Sequence, residues 1–280
     1  MLDLNHGSGC RYREPARDPG VAAAVNAAID AALIARNRAQ PPRNYVSTSG
    51  LGRDCLRQIQ YDFLGVPKDD GGDFGPATLR IFEAGHRGED VVADWLRAAG
   101  FDLRTHRKDG SQFGFSVLDG RFRGHIDGCL VAGPAAMAYP ALWENKCLGA
   151  SSWNDVVKRG VAVARPVYAA QIALYQAYME LPEPALFTAL NRDTWELHAE
   201  LLPFDAVLAQ RMSDRAVEVV RASDVRDWLP RAVGDPASVL CRGGWTTGWH
   251  APCPWRERCW GRGEQSNAAS SFLPHPWRPR

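Results

Sequence analysis

Apolar and polar positions along the chain repeat with two different periods, and the switches between them mark out its elements. An Ala-rich run at 20–38 (GVAAAVNAAIDAALIARNR) predicts a helix closed by QPPRN. Residues 46–65 open on a Ser/Thr cap signal and predict a second helix. KDDGGDFGP at 68–76 reads as a loop, and a third helix is expected over about 78–99, ending at Gly100. Strand signals follow at about 112–118, 121–131 and 140–147. SWNDVVKRGVAVARP is expected to link to a helix over about 166–180. Two strands, ALFTAL and TWELHAELL, flank a turn at 191–193, and a helix is expected over about 205–222. No internal repeat is seen. This order predicts an α/β or α+β fold, a mixed sheet flanked by helices.

At 280 residues, with 45% hydrophobic and 23% charged positions, the chain is large enough for a full core and ordinary in composition. Gly, Pro or charge interrupts every long apolar stretch, so no membrane span is expected. The opening residues MLDLNHGSGCRYRE lack the apolar run of a secretion signal, and a cytoplasmic location is the expectation. A net charge of +1 means that any nucleic-acid surface must be local. Without an export signal, seven cysteines favour metal or cluster ligation over disulfides.

The chemistry gathers around GHIDG at 124–128 and ALWENK at 141–146. Strand periodicity puts Glu144 and Lys146 on one face and Trp143, Asn145 and Cys147 on the other. Asp127 is expected in a strand, on the same face as His125. If the two strands are neighbours, Asp127 and Glu144 converge on one hard cation, with the backbone carbonyl of Asn145 as a further ligand. Such an ion polarises a scissile phosphate, while Lys146 orients or deprotonates the attacking water or neutralises charge on the phosphate. The bland alternative makes Asp127 a turn cap at Gly128 and Glu144–Lys146 a surface ion pair.

A third acid follows from helical spacing. Phe82, Glu89, Val92 and Leu96 share a face of the 78–99 helix, while Glu83, Asp90 and Asp94 lie on a polar one. A carboxylate on the apolar side is costly unless a cation or a partner such as Arg123 relieves it. His86, three residues before Glu89, faces the site or is a plain helix-start histidine. Gln171 and Tyr175, four apart on the next helix, share a face and can hydrogen-bond a phosphate or the Lys146 end of the site.

Glu89 in GHRGEDVV, Asp127 in GHIDG, Glu144 and Lys146 in WENK, and Gln171 and Tyr175 in QIALY together resemble the PD-(D/E)XK nuclease superfamily, in its RecB-like and phage-type exonuclease branch. The resemblance covers roughly residues 46–260. It implies a central mixed sheet with a helix on each side and Mg²⁺- or Mn²⁺-dependent DNA cleavage. It also implies that Glu89, Asp127 and Glu144 bind metal, that Lys146 is catalytic, and that Gln171 and Tyr175 support the site or the DNA. RecB-like members often carry histidine at the position of Glu89, and the phage-type members carry glutamate. A helicase or a single-strand annealing protein is the kind of partner the resemblance implies.

Cys55, Cys241, Cys253 and Cys259 bracket this core, with C-x5-C between the last two. The arrangement resembles the iron–sulfur subset of the superfamily, the AddB-type and CRISPR-associated RecB-like nucleases, which implies a 4Fe–4S cluster stapling the chain ends together. The subset has C-x2-C before the C-x5-C step, whereas GGWTTGWHAP separates Cys241 from Cys253 here and reads as an insertion. Structural Zn²⁺ on the same thiolates, with His250 able to replace one, is the alternative, as is no metal at all. Cys10, Cys129 and Cys147 have no partner at ligand spacing. The expected organisation is a helical extension (1–45), a nuclease core (46–240), a cysteine-bearing segment closing onto Cys55 (241–260) and a tail (261–280).

Three basic clusters are candidates for tracking DNA phosphates: Arg121 with Arg123; Lys158, Arg159 and Arg165; and Arg53 with Arg57. No base-reading motif is present, so recognition of ends, single strands or structured DNA is expected. The competing functions are a catalytically silent DNA-binding protein on a nuclease fold and an adaptor organised by its cysteines.

Overall fold

The computed structural model describes residues 19–245 and 249–261; Cys10 and the expected tail beyond 261 lie outside the described residues. In chain order the elements are α1 (Pro19–Arg38), β1 (Val46–Ser47), α2 (Thr48–Leu51), α3 (Leu56–Phe63), α4 (Pro76–Ala98), β2 (Asp102–Arg104), β3 (Gly114–Val117), β4 (Phe122–His125), β5 (Gly128–Ala132) and β6 (Ala141–Leu148). There follow α5 (Ala150–Arg159), α6 (Val161–Ala164), α7 (Pro166–Tyr178), β7 (Ala185–Asn191), β8 (Leu197–Leu202), α8 (Ala206–Asp224), α9 (Val239–Arg242), β9 (Gly244–Trp245), β10 (Trp249–His250) and α10 (Arg256–Trp260). Among the described residues no helix is long and apolar enough to cross a membrane.

The main sheet runs β2-β5-β6-β7-β8, with only β6 and β7 parallel. It is therefore a mixed sheet. Alternation along β6 and β7 divides the core. Trp143, Leu186 and Leu190 lie with Val92 and Leu96 of α4 on one face. Leu142, Phe187 and Ala189 lie with residues of α5, α6 and α7 on the other. A helix-covered sheet with this alternation is the expected α/β core. A small second sheet, β1-β4-β3, joins α3, α7 and α8 in a further apolar cluster.

Four local expectations are corrected. The single strand expected at 121–131 breaks into β4 and β5, which belong to different sheets. Asp127 lies in the bend between them, and His125 is exposed, not on a shared buried face. The single helix expected at 46–65 is split into β1, α2 and α3, because Val46 enters the small sheet beside Phe122. The link at 152–166 is mostly helical, broken at Gly160, whose φ of 74° ends α5. Finally, β2 carried too few alternating positions to be expected, and pairing with β5 creates it.

Gly124 explains why GHIDG needs its first glycine. A Cβ there would lie 2.6 Å from the Tyr175 ring and 2.7 Å from Thr48 Cγ2. The bare backbone lets α2 and α7 close onto β4, which brings distant segments to the site. Gly88 does the same for α4, since a Cβ there would lie 3.0 Å from Cys147 Sγ on β6.

Candidate active site

Strand β6 presents Glu144 and Lys146 toward α7, while the bend after β4 delivers Asp127 from the neighbouring strand. Asp127 Oδ2 accepts the backbone N–H of Asn145 at 2.8 Å, which locks this bend onto β6. Glu144 is wholly buried, and Lys146 retains 22% exposure of its side chain. Lys146 Nζ donates to Glu144 Oε1 and to the Asn145 carbonyl, the latter at 3.1 Å. The Glu144–Lys146 pair is thus a buried-rim pair, not the surface pair of the bland alternative. Behind it, Trp143 Nε1 donates to Thr188 Oγ1 and Thr188 to Asn145 Oδ1, both at 2.9 Å, fixing the opposite face of β6.

Glu89 arrives from α4. Burial pushes its pKa up to about 7, with the Asp127 charge adding to the rise and Lys146 opposing it. Val92 and Leu96 of its expected face are buried, but Phe82 is 44% exposed and meets Phe74 edge-on at 5.0 Å. Arg123 is not the partner of Glu89: its Nε donates to the Gly120 carbonyl at 2.6 Å and its guanidinium lies over Tyr45. His86 is exposed and sits mid-helix rather than at a helix start. It is near enough to Asp127 for its charge to act on that carboxyl.

Burial is also the first cause at the other two acids. It raises Glu144 to about 8, reinforced by Asp127. It raises Asp127 against the pull of Lys146 and of the Asn145 N–H. Lys146 is raised above the ordinary lysine value because Glu144 and Asp127 outweigh the burial of its ammonium. Three acids thus share one buried neighbourhood with one lysine.

Gln171 and Tyr175 lie together on α7, nearly buried at 7% and 3% exposure. Gln171 Nε2 donates to Tyr175 Oη at 3.0 Å, and Thr48 Oγ1 donates to the same oxygen at 2.9 Å. Burial and the nearby Glu144 charge raise the Tyr175 hydroxyl well above its ordinary value. Thr48 was missed in the sequence. VSTSG reads as a helix cap, and nothing local ties it to a tyrosine 127 positions away.

The donor chemistry suits a divalent cation. Glu144 Oε2 is buried without a hydrogen-bond partner among the described residues. An unpartnered buried oxygen costs about 1–3 kcal/mol, and more when charged. The ammonium of Lys146 bridges a carboxylate oxygen and a backbone carbonyl, the donor types that Mg²⁺ prefers. As they stand, no three acid, His or Cys side chains among the described residues are gathered closely enough to hold an ion. Binding would therefore require the acids to draw closer, with the Lys146 ammonium giving up Glu144 Oε1 and the Asn145 carbonyl.

The four cysteines singled out in the sequence line one pocket, with Tyr61, Arg231 and Trp260. Burial raises Cys253 to about 11 and also raises Cys241, and in both cases the other thiols add to the rise. Cys253 N–H donates to the Cys241 carbonyl at 2.9 Å, so 242–252 leaves and returns as an excursion carrying β9 and β10. Of the His250 side chain and residues 246–248 nothing is described. Trp255 Nε1 donates to the Val66 carbonyl at 2.8 Å, and Asp69 accepts the Glu257 and Arg258 N–H groups at the start of α10. These bonds tie the C-terminal segment to residues 55–69. Cys129 and Cys147 lie elsewhere, partly buried in the main sheet.

Most of the expected phosphate-tracking cations are already engaged. Arg121 grips Asp224 at 2.7 Å, Arg159 and Arg165 share Asp155, and Arg57 donates to the Leu229 carbonyl at 2.6 Å. Arg53 lies 3.9 Å from Asp62, and Lys158 is exposed.

No protein-family model matches the chain, and no curated protein matches it. Among solved structures it is similar to an alkaline exonuclease (LHK-Exo) from Laribacter hongkongensis. The identity is 12% and the TM-score 0.48, over 66% of this chain and 90% of that one. LHK-Exo in complex with dAMP gives 13% and 0.46, over 65% and 89%. SSO0001 gives 12% and 0.40, over 70% and 86%.

The raised carboxyls set a sign for stability against pH. Glu144 and Glu89 hold protons in the folded chain that the unfolded chain, with ordinary values of 4.5, has lost. Their contribution is full below about pH 4.5 and is lost as pH rises through about 7–8. The metal-free protein is expected to show a thermal midpoint that falls between about pH 5 and about pH 8, with a shallower fall in Glu144→Gln. A midpoint that rises over that window in the wild type would contradict this.

Proposed function

We propose that this protein is a Mg²⁺- or Mn²⁺-dependent DNA nuclease that hydrolyses phosphodiester bonds, acting as an exonuclease in recombination, repair or phage DNA metabolism. One observation supports this above the others: Asp127, Glu144 and Glu89 are brought from three elements into one buried neighbourhood with Lys146. A stability-driven fold would not retain three such acids, because each is costly without a counter-ion. Glu89, Asp127 and Glu144 would hold the ion, with the Asn145 carbonyl as a further ligand. When bound, the ion polarises the scissile phosphate and lowers the pKa of the attacking water.

The remaining work falls to the chain. Lys146, with its ammonium released from the acids, orients the attacking water and offsets charge building on the phosphate. Tyr175, held by Thr48 and Gln171, packs its buried ring beside the acid cluster and helps to shield it from bulk water. Asp127, anchored by the Asn145 N–H, fixes the distance between β5 and β6. DNA enters as the substrate, and a helicase or single-strand annealing protein is the partner class proposed with it.

We further propose a 4Fe–4S cluster on Cys55, Cys241, Cys253 and Cys259. The support is that all four thiols border one pocket although GGWTTGWHAP separates two of them. Structural Zn²⁺ is the second candidate for the same thiols. The other functional reading, a catalytically silent DNA-binding adaptor, draws on the Lys146–Glu144 bond, which could be purely structural.

The test of the nuclease is degradation of end-labelled linear single- and double-stranded DNA with and without Mg²⁺ or Mn²⁺. Wild type is expected to cleave only with metal, and Lys146→Ala to lose at least about 10²-fold in rate. The variant should stay folded, because Glu144 already holds a proton near neutral pH and is not left as a bare buried charge when its lysine is removed. No cleavage by folded wild type under either metal would move the reading to the adaptor. For the thiols, anaerobically purified protein is expected to be brown, with absorbance near about 400 nm from the cluster. Cys259→Ser should lose both the colour and thermal stability. A colourless protein with bound zinc would overturn the cluster.

A further inference from the structure

The connection between β2 and β3 is a short hairpin that no motif singled out. It reads RTHRKDGSQFG over 104–114. His106 pairs with Gln112, Arg107 N–H donates to the Ser111 carbonyl at 2.7 Å, and Gly110 turns the tip at φ 81°. Its base is fixed beside the acid cluster. Ile126, the residue before Asp127, donates its N–H to the Phe113 carbonyl at 3.0 Å, and Gln112 Nε2 donates back to the Ile126 carbonyl at 3.1 Å. Its other side is braced by α4, where Arg97 donates to the Leu103 carbonyl at 3.3 Å and to Thr105 Oγ1 at 3.1 Å.

The charge on this hairpin is left over by design of its contacts. Asp102 is consumed by Arg104 at 3.0 Å. Asp109 is turned back onto the Ser111 N–H and hydroxyl, at 2.9 and 2.6 Å. Arg107 and Lys108 form no salt bridge among the described residues, although Arg107 Nη2 makes a long bond to the Gly114 carbonyl, at 3.4 Å, and its charge acts on Asp109. The Arg107 guanidinium lies over the Phe113 ring, 5.3 Å from its centre. Arg104, His106, Arg107, Lys108, Asp109 and Phe113 line an open concavity of about 380 Å³, with the Asp109 carboxylate occupied by Ser111. By contrast, the arginines expected to track phosphates are mostly spent on internal carboxylates and carbonyls.

We propose that this hairpin is the DNA-backbone clamp of the site: Arg107 and Lys108 bind phosphates of the strand flanking the bond to be cut. The proposal rests on the nuclease reading for its substrate, but not for its test. The hairpin lining the concavity is bonded at its base to Ile126, the neighbour of Asp127, so backbone binding there would be coupled to placement of the scissile group. Phosphate contacts position the strand without reading bases, as the absence of a base-reading motif requires.

The test compares wild type, Arg107→Ala/Lys108→Ala and the charge-keeping Arg107→Lys/Lys108→Arg. Binding of a fluorescent DNA duplex is measured in EDTA across a salt series, and cleavage with Mg²⁺ gives kcat and KM. The alanine pair is expected to weaken binding several-fold and to lower the salt slope by about 2, one per lost phosphate contact. KM should rise with kcat little changed, and the charge-keeping pair should behave as wild type. An active wild type whose alanine pair keeps both KM and salt slope would overturn the clamp and leave the nuclease standing. A wild type that binds through the hairpin but never cleaves would keep the clamp and remove the nuclease. An alanine pair with an unchanged thermal midpoint confirms that lost binding is not lost folding.

Discussion

Everything in the site depends on the burial of one carboxylate. Glu144 has no exposure to water and shares its neighbourhood with Asp127 and Glu89. Among the described residues it is bonded by the ammonium of Lys146, and its other oxygen has no hydrogen-bond partner. Such an arrangement costs free energy in the folded chain. In the proposed reading, a divalent cation would offset that cost.

The fold can be understood as the means of holding that group. β6 is central in a mixed sheet and is bonded on both sides, so Glu144 and Lys146 cannot slip in register. The bend between β4 and β5 passes one carboxylate to β6 through a backbone hydrogen bond. Gly88 and Gly124 remove side chains where α4 and α2 must approach, and Thr48 reaches Tyr175 through the space so left. On the far side of α3, Trp255 and Asp69 tie the C-terminal segment down through apolar contact and capping bonds.

What the sequence made legible follows from periodicity and spacing. The long helices α1, α4, α7 and α8 and the strands β6 and β7 came within a few residues, α4 and α8 from their one-sided apolar faces and the others from helix-forming composition, apolar runs and Gly or Pro boundaries. The acids, Lys146 and the Gln171–Tyr175 pair were visible because polar groups interrupt apolar runs at fixed intervals. Asp127 was placed in a strand because its apolar neighbours alternate through the bend, and period two cannot signal a change of sheet. Thr48 and the hairpin at 104–114 stayed hidden for a different reason. Their role comes from contacts with segments far away in the chain. Conversely, Arg121, Arg123, Arg159 and Arg165 looked free in the sequence, where Asp224, the Gly120 carbonyl and Asp155 could not be assigned to them.

The most direct measurement is a calorimetric titration of Mn²⁺ into the protein near neutral pH, in two buffers of different ionisation enthalpy. The account predicts binding that releases protons from the acid cluster and that is lost in Asp127→Asn. Binding of equal strength in Asp127→Asn, or none in the folded wild type, would contradict the metal centre on which the account rests.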